Sequence, residues 1–345
     1  MREVKVHTPG KLMLGGEYAV LLPGGQGVCL AVGPGIDATF HRGGPPNSAT
    51  LTLVGVSHSA RFEQGMWQLD IPHPTPHFVL TALQQLLPHG HSVGFSLELS
   101  QAGWEEKREG GIKAGRGKVG LGGSAAATVA TVASVCEGLE LNFSARQRLD
   151  LARKSHHLAQ GGKGSGIDVV CAGLGGVVHM TTATLPIHHL DWPEGWEILV
   201  GISPTPVSTP ARIVEVERVL SQEPTFTREW LVRSNAAVEA VVLALHTQNS
   251  AHLVDALGQT GDVLRELGHI CHLDMEDETL ASMAKVAKPW GVARPSGAGG
   301  GDCGLAMASS PDQTEPLYMA LKQAGVEILR VQPGPAGPFQ GAQHG

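Results

Sequence analysis

The sequence has no pair of cysteines in a C-x-x-C arrangement. Its five cysteines, Cys29, Cys136, Cys171, Cys271 and Cys303, are scattered and odd in number. That pattern excludes a disulfide framework and a zinc ribbon and predicts a reducing, cytoplasmic setting. No apolar run reaches the roughly 18 residues of a membrane span, and the start, MREVKVHTPGK, lacks a charged-then-apolar leader, so no membrane partner is expected. Aromatic residues are only 4% of the chain, and 25 basic against 32 acidic residues leave a net charge of −7. Nucleic-acid binding needs a basic face and often stacking rings, so nucleic acid is excluded as the expected partner. Small molecules remain, bound by a chain of 345 residues, 42% of them hydrophobic, which is enough for two domains.

What the chain has in excess is glycine, 46 residues concentrated at turns. Between the turns, EVKVH, GVCLAVG, IDATFHR, ATLTLVG and VGFSLELS alternate as strands, and HFVLTALQQLL and residues 124–139 read as helices. A third helix starts after Ser144 as N-cap, and GGVVHM is a further strand. The proline-broken stretch TTATLPIHHLDWPEG is a junction. It divides an N-terminal domain, 1–187, from a C-terminal one, 188–333, in which the strands EILVGI, CGLAMAS and VEILRVQ accompany mostly helical segments. The fold class is α+β. The last stretch, 334–345, lacks periodicity and reads as a flexible tail.

Three glycine clusters carry the candidate chemistry. In KVGLGGSAAATVA, residues 118–130, glycines lead into a small-residue helix. Its start suits an anion, but the same composition suits tight helix packing. In PSGAGGGDCG, residues 295–304, so flexible a run points to a ligand, with Asp302 orienting backbone. In GGKGSGIDVVCAGLGGVV, residues 161–178, Asp168 either caps a helix or faces a cleft. Lys11 follows a Pro-Gly turn in TPGKLMLGGEYAVL and is either a surface lysine or a reader of anions. Lys107, Arg108, Lys113, Arg116 and Lys118 form a basic run ahead of the first cluster. The histidine pairs His156–His157 and His269/His272 join no cysteines at zinc spacing.

In this order the segments resemble the GHMP small-molecule kinases, and within that superfamily the phosphomevalonate kinase family. PGKLMLGGEYAVL is similar to its first motif, GLGGSAAATVA to its phosphate loop, GKGSGIDVV to its aspartate loop, VGISPTPVSTP to its V-G-W-T-x-x-x-x-S-T segment and SGAGGGDCGLAM to its third motif. The resemblance implies an N-terminal ribosomal S5 domain 2-like domain and a C-terminal ferredoxin-like domain with a cleft between them. It implies transfer of the ATP γ-phosphoryl group to (R)-5-phosphomevalonate by a monomer or homodimer, with Mg2+. Lys11 and Asp168 are then catalytic, and Gly120, Leu121, Gly122, Gly123, Ser124, Ala125 and Ala126 bind nucleotide, with Ser124 on the metal. Lys11, Glu17, Tyr18, Ser165, Ser208, Thr209, Ser296, Gly299 and Gly300 bind the acceptor. Two departures stand out: Gly123 replaces a customary serine, and His156, His157 and Gln160 occupy the region where mevalonate kinases carry a magnesium-binding glutamate. The alternatives are a mevalonate kinase and a non-catalytic ligand sensor on the same fold.

Overall fold

Alternation of apolar and polar residues first builds two long strands. The computed structural model describes residues 3–53, 55–71, 77–102, 119–182 and 187–341, and pairs β1 (Glu3–Gly15) antiparallel with β2 (Gln26–Arg42). The turn expected before Lys11 is instead continuous strand in β1, opposite a bulge at Gly33–Pro34 of β2, and GVCLAVG and IDATFHR merge into the single strand β2. The reason is glycine: a Cβ on Gly35 would stand 2.0 Å from Thr8 O, and one on Gly10 2.5 Å from Pro34 O. Backbones approach that closely only without side chains, so the chain kinks and carries on as a strand.

The first layer continues with β3 (Ser48–Leu53), β4 (Val56–Glu63), β5 (Met66–Leu69), α1 (His77–Leu86) and β6 (Phe95–Ala102). It closes with α2 (Gly123–Gly138), α3 (Ala145–Ala159), α4 (Ile167–Leu174), β7 (Val177–Thr181) and β8 (Ile187–Leu190). The strands run in the order β5-β4-β3-β6-β2-β7-β8, with β1 on β2, and β3 and β6 are the parallel pair. The helices bury Ala125, Val129, Val132, Leu149 and Val170 against Phe40, Leu51 and Leu97 of the sheet. Ser144 caps α3 as its sequence predicts: its Oγ accepts from Gln147 N at 3.3 Å while Gln147 Oε1 accepts from Ser144 N at 2.8 Å.

The second layer holds β9 (Ile198–Ile202), α5 (Thr209–Gln222), α6 (Pro224–His246), α7 (Ser250–Cys271), α8 (Glu278–Ala287), β10 (Gly291–Pro295), β11 (Cys303–Ala308), α9 (Thr314–Gln323) and β12 (Glu327–Val331). Its antiparallel sheet has the order β10-β11-β9-β12. Leu12, Leu14 and Leu30 of the first sheet share one buried cluster with Val200, Leu305 and Leu329 of the second and with Val238 and Leu257 of the helices. An interface this apolar holds the two layers in a fixed relation, so their junction is a rigid wall for a site.

Two expected boundaries move. β8 pairs with β7, so the first sheet extends to Leu190 rather than stopping at 187. The stretch from 334 is no loose tail in its described part, which ends at Gly341. Phe339 is 1% exposed in the first core, its N–H donates to Gly173 O at 2.7 Å, and Gly176 N donates to Pro335 O at 3.0 Å. Burying one aromatic ring offsets the ordering of a short strap, which periodicity alone cannot reveal.

No helix among the described residues is long and apolar enough to cross a membrane. All five cysteines are buried and none is in a disulfide. Burial pushes the Cys136 thiol up to about 11, and lifts Cys171 and Cys271 as well. Because the thiolate is the reactive form, a disulfide reagent at pH 8 is expected to label the native protein slowly and to reach all five cysteines only in denaturant. A thiol that labels at once in the native protein would mean that one of these cysteines is open to solvent.

Candidate active site

The first glycine cluster starts α2. Gly120 and Gly122 adopt left-handed conformations, φ 79° and 74°, and Gly122 immediately precedes the helix with no side chain to cap it. The leading N–H groups of α2 therefore lack a side-chain acceptor, and their dipoles make a positive pole. Gly120, Gly122, Gly123 and Ser124 line a cleft of about 350 Å³. Leu121, Ala125 and Ala126, expected to bind nucleotide alongside them, do not line it, because their side chains are buried in the cores. Those side chains anchor the loop, leaving only backbone to face a nucleotide there, and Leu121 O accepts from Lys11 N at 3.0 Å.

Just past the point opposite the β2 bulge, β1 carries Lys11 into the same cleft. Its Nζ donates to Gly120 O at 3.4 Å and lies 3.6 Å from where a Cβ on Gly297 would stand. The ammonium thus sits between the first glycine cluster and the one before β11. Burial alone would push it down, but the anionic forms of Cys29, Cys303, Asp168 and Cys171 more than offset that, so Lys11 is held above the ordinary lysine value. It carries its charge throughout the neutral range.

Asp168 stands in the first turn of α4, behind Gly166 in a left-handed conformation. Its Oδ1 accepts from Val169 N at 2.9 Å, and its Oδ2 lies 3.9 Å from His156 Nε2. Asp168 and Lys11 line one cleft. His156 is the residue the sequence undervalues. It is 1% exposed, stacks on Phe78 with centroids 5.1 Å apart, and shares a 3.2 Å hydrogen bond with Ser124 Oγ. It thereby ties the start of α2 to the start of α4 from beneath the cleft.

Glu17, Tyr18 and Ser296, expected to contact the acceptor, line the cleft and also brace its walls. Ser296 Oγ accepts from Met13 N at 2.8 Å and donates to Met13 O at 3.2 Å. Tyr18, with φ 56°, donates its hydroxyl to Ala298 O at 2.7 Å, and burial holds its phenol well above the ordinary range. Glu17 borders the cleft, yet its carboxylate is taken by the buried guanidinium of Arg294. Asp302 orients backbone as expected, its Oδ1 accepting from Val207 N at 3.1 Å.

Ser165 and Thr209 line the cleft; Ser208, Gly299 and Gly300 do not. Ser208 is exposed ahead of α5. Gly299 and Gly300 are closed off because Gly300 N donates to Met275 O at 2.7 Å and the Arg212 guanidinium fills the space a side chain would take. Gly297 and Ala298 line the cleft in their place. An apolar wall of Met13, Val20, Leu21, Phe78, Ile167 and Ile213 completes it. Sequence reading missed that wall, since such residues carry the same pattern as core.

Among the described residues no group of three or more His, Cys, Asp or Glu is arranged to hold a metal ion. Ser124 Oγ and the Asp168 carboxylate are the oxygen donors beside the start of α2, and they fit a magnesium ion that keeps its waters and arrives on phosphates. The basic run Lys107, Arg108, Lys113, Arg116 and Lys118 lies outside the described residues.

Residues 79–176 match the family model described as the GHMP kinases N terminal domain. The chain is 26% identical to a phosphomevalonate kinase of Streptomyces sp. (strain CL190), over 96% of this chain and 97% of that one. It is 30% identical to a mevalonate kinase of Thermococcus onnurineus (strain NA1), over 60% of each. Its structure matches that of Streptococcus pneumoniae phosphomevalonate kinase in complex with phosphomevalonate and AMPPNP with a TM-score of 0.76, at 20% identity, over 96% of this chain and 100% of the other. Residues 79–176 thus carry a GHMP kinases N-terminal domain, and the chain shares its α+β fold along almost its whole length with the Streptococcus enzyme.

Proposed function

We propose that the protein transfers the γ-phosphoryl group of ATP to the phosphate of (R)-5-phosphomevalonate, giving the diphosphate and ADP. The observation that carries this reading is the meeting of Lys11, Asp168 and the uncapped start of α2 in one cleft. Phosphoryl transfer asks for alignment and neutralised charge more than for covalent chemistry. The N–H groups leading α2 hold the ATP phosphates. Ser124 and Asp168 would hold a magnesium ion arriving with the nucleotide, which would supply charge neutralisation. Lys11 stabilises the charge spread over the migrating group from between the two glycine clusters. An acceptor phosphate oxygen is already ionised near neutral pH, so Asp168 serves as its orienter, steadied by Val169 N on one side and His156 on the other.

The choice of acceptor rests on coverage. Similarity to the Streptomyces phosphomevalonate kinase runs through 96% of the chain, against 60% for the Thermococcus mevalonate kinase. A mevalonate kinase remains the second reading on the strength of that 30% identity. Incubation with ATP, magnesium and either mevalonate, 5-phosphomevalonate, homoserine or galactose separates them. ADP release with 5-phosphomevalonate alone is the expected result. Release with mevalonate alone moves the activity to the second reading, and release with neither, despite nucleotide binding, makes the protein a ligand sensor.

The glycines at the start of α2 give a paired prediction. Nothing stands within 4 Å of a Cβ on Gly123, so Gly123→Ser is expected to leave stability unchanged and to tighten ATP binding about two- to tenfold through one added hydroxyl. A Cβ on Gly122 would stand 2.7 Å from Lys11 Cγ in a left-handed backbone, so Gly122→Ala is expected to displace the lysine and cost about 1–2 kcal/mol of stability. Isothermal titration with an ATP analogue and urea unfolding read the two effects. Equal behaviour of the two variants contradicts the assignment.

A further inference from the structure

Beside the cleft lies a second, larger cavity of about 480 Å³ to which the catalytic cleft assigns no role. The two spaces share Val20, Leu21, Gly164 and Ser165, so they are adjoining compartments separated by the loop that leads into α4. The second is basic: Arg153, Lys154 and His157 of α3 line it against the single acid Asp150. Arg153 is poorly satisfied there. Its Nη1 reaches Asp150 Oδ1 at only 3.9 Å, and its buried Nε has no hydrogen-bond partner among the described residues. Burial holds the guanidinium below the ordinary arginine value, which an anion alongside it would relieve. A half-buried arginine with open hydrogen-bonding capacity facing a cavity is a place for an oxyanion, and its planar fork matches a carboxylate.

The spacing says which oxyanion. Arg153 Nε lies 3.5 Å from where a Cβ on Gly166 would stand. Gly166 precedes Asp168 by two residues, so their Cα atoms are at most about 7 Å apart. A short acyclic acceptor with its reacting phosphate at Lys11 and Asp168 can therefore pass Ser165 and bring its far end to α3. Resting on the acceptor proposed above, we propose that this compartment binds the carboxylate end of the acceptor, with Arg153 as its main contact, Lys154 adding positive charge at the rim and His157 offering a ring nitrogen beside it. The compartment makes the enzyme selective for acceptors charged at both ends, because a neutral end leaves the arginine unpaired.

The test is a cycle of two changes, Arg153→Gln in the full chain and esterification of the acceptor carboxylate. For the wild type, the methyl ester of 5-phosphomevalonate is expected to show a KM roughly 10- to 100-fold above that of the acid. Arg153→Gln is expected to raise the acceptor KM by a similar factor while kcat and the KM for ATP stay near wild type. The ester is expected to be no worse than the acid for that variant. Arg153→Lys, which keeps the charge but not the fork, falls between. Should a variant fail to fold, the wild-type comparison still decides: ester and acid used equally well overturn the proposal. So does a variant that penalises the ester as strongly as the wild type does. Absence of turnover with 5-phosphomevalonate itself is a different outcome, one that removes the acceptor assignment and this inference with it.

Discussion

Replacing Lys11 with methionine is expected to lower kcat by about a hundred- to a thousandfold, the usual cost of losing a preorganised charge aimed at the transition state. The substitution keeps the length of the side chain and removes only the ammonium between Gly120 O and Gly297. Thermal unfolding and the circular dichroism spectrum should change little, which separates loss of chemistry from loss of fold. Asp168→Asn is expected to reduce kcat in the same direction, since it discharges the other group that meets the acceptor. The pH profile follows from the sign of the shift on Lys11. Its folded-state value is raised, so the charge is complete at and below the ordinary lysine range and is lost only above it. No alkaline limb attributable to Lys11 should therefore appear below about pH 9. Steady-state kinetics from pH 6 to 9 check both statements, and near-normal turnover by Lys11→Met would remove the lysine from the mechanism.

Much of this site is legible in the amino-acid sequence, because glycine is conspicuous. The leads into α2 and α4 and the run before β11 show themselves as clusters, and the three meet around Lys11. The misreadings have a common physical origin in contacts that sequence spacing does not encode. Pro9–Gly10 carries the composition of a turn, and only the bulge and glycines of β2 across from it keep it in the strand. Ser296 reads as a ligand contact and does line the cleft, but that its hydroxyl also clamps Met13 across 283 residues of chain is invisible in the sequence. His156 reads only as half of a histidine pair without zinc spacing, and its stacking on Phe78 is what brings it under Ser124 and Asp168. Phe339 sits in a glycine- and proline-rich stretch with no period, so nothing in its neighbours signals its burial. Local backbone demands write themselves into composition, whereas a side chain's partner across the fold does not.

Glu17 shows how far that difference reaches, and it gives the largest expected effect on stability. Its carboxylate meets Arg294, which is 1% exposed and also donates through Nη1 to Leu14 O at 2.6 Å and Thr260 Oγ1 at 2.9 Å. One guanidinium thus joins β1, α7 and β10 behind the cleft. Glu17→Ala leaves that charge buried without its anion, at a cost of about 3–5 kcal/mol. For a chain of this size the apparent Tm is then expected to fall by roughly 4 to 7 °C, measurable by differential scanning calorimetry. A reader of the acceptor predicts something else: a raised KM with an unchanged Tm. The double replacement Glu17→Met with Arg294→Met removes both charges and fills similar volume, so it should recover much of the lost stability. Recovery in the double variant, with the acceptor KM no more than modestly altered, assigns Glu17 to the wall that holds β1 in place. Failure of Glu17→Ala to shift the Tm would return it to the substrate.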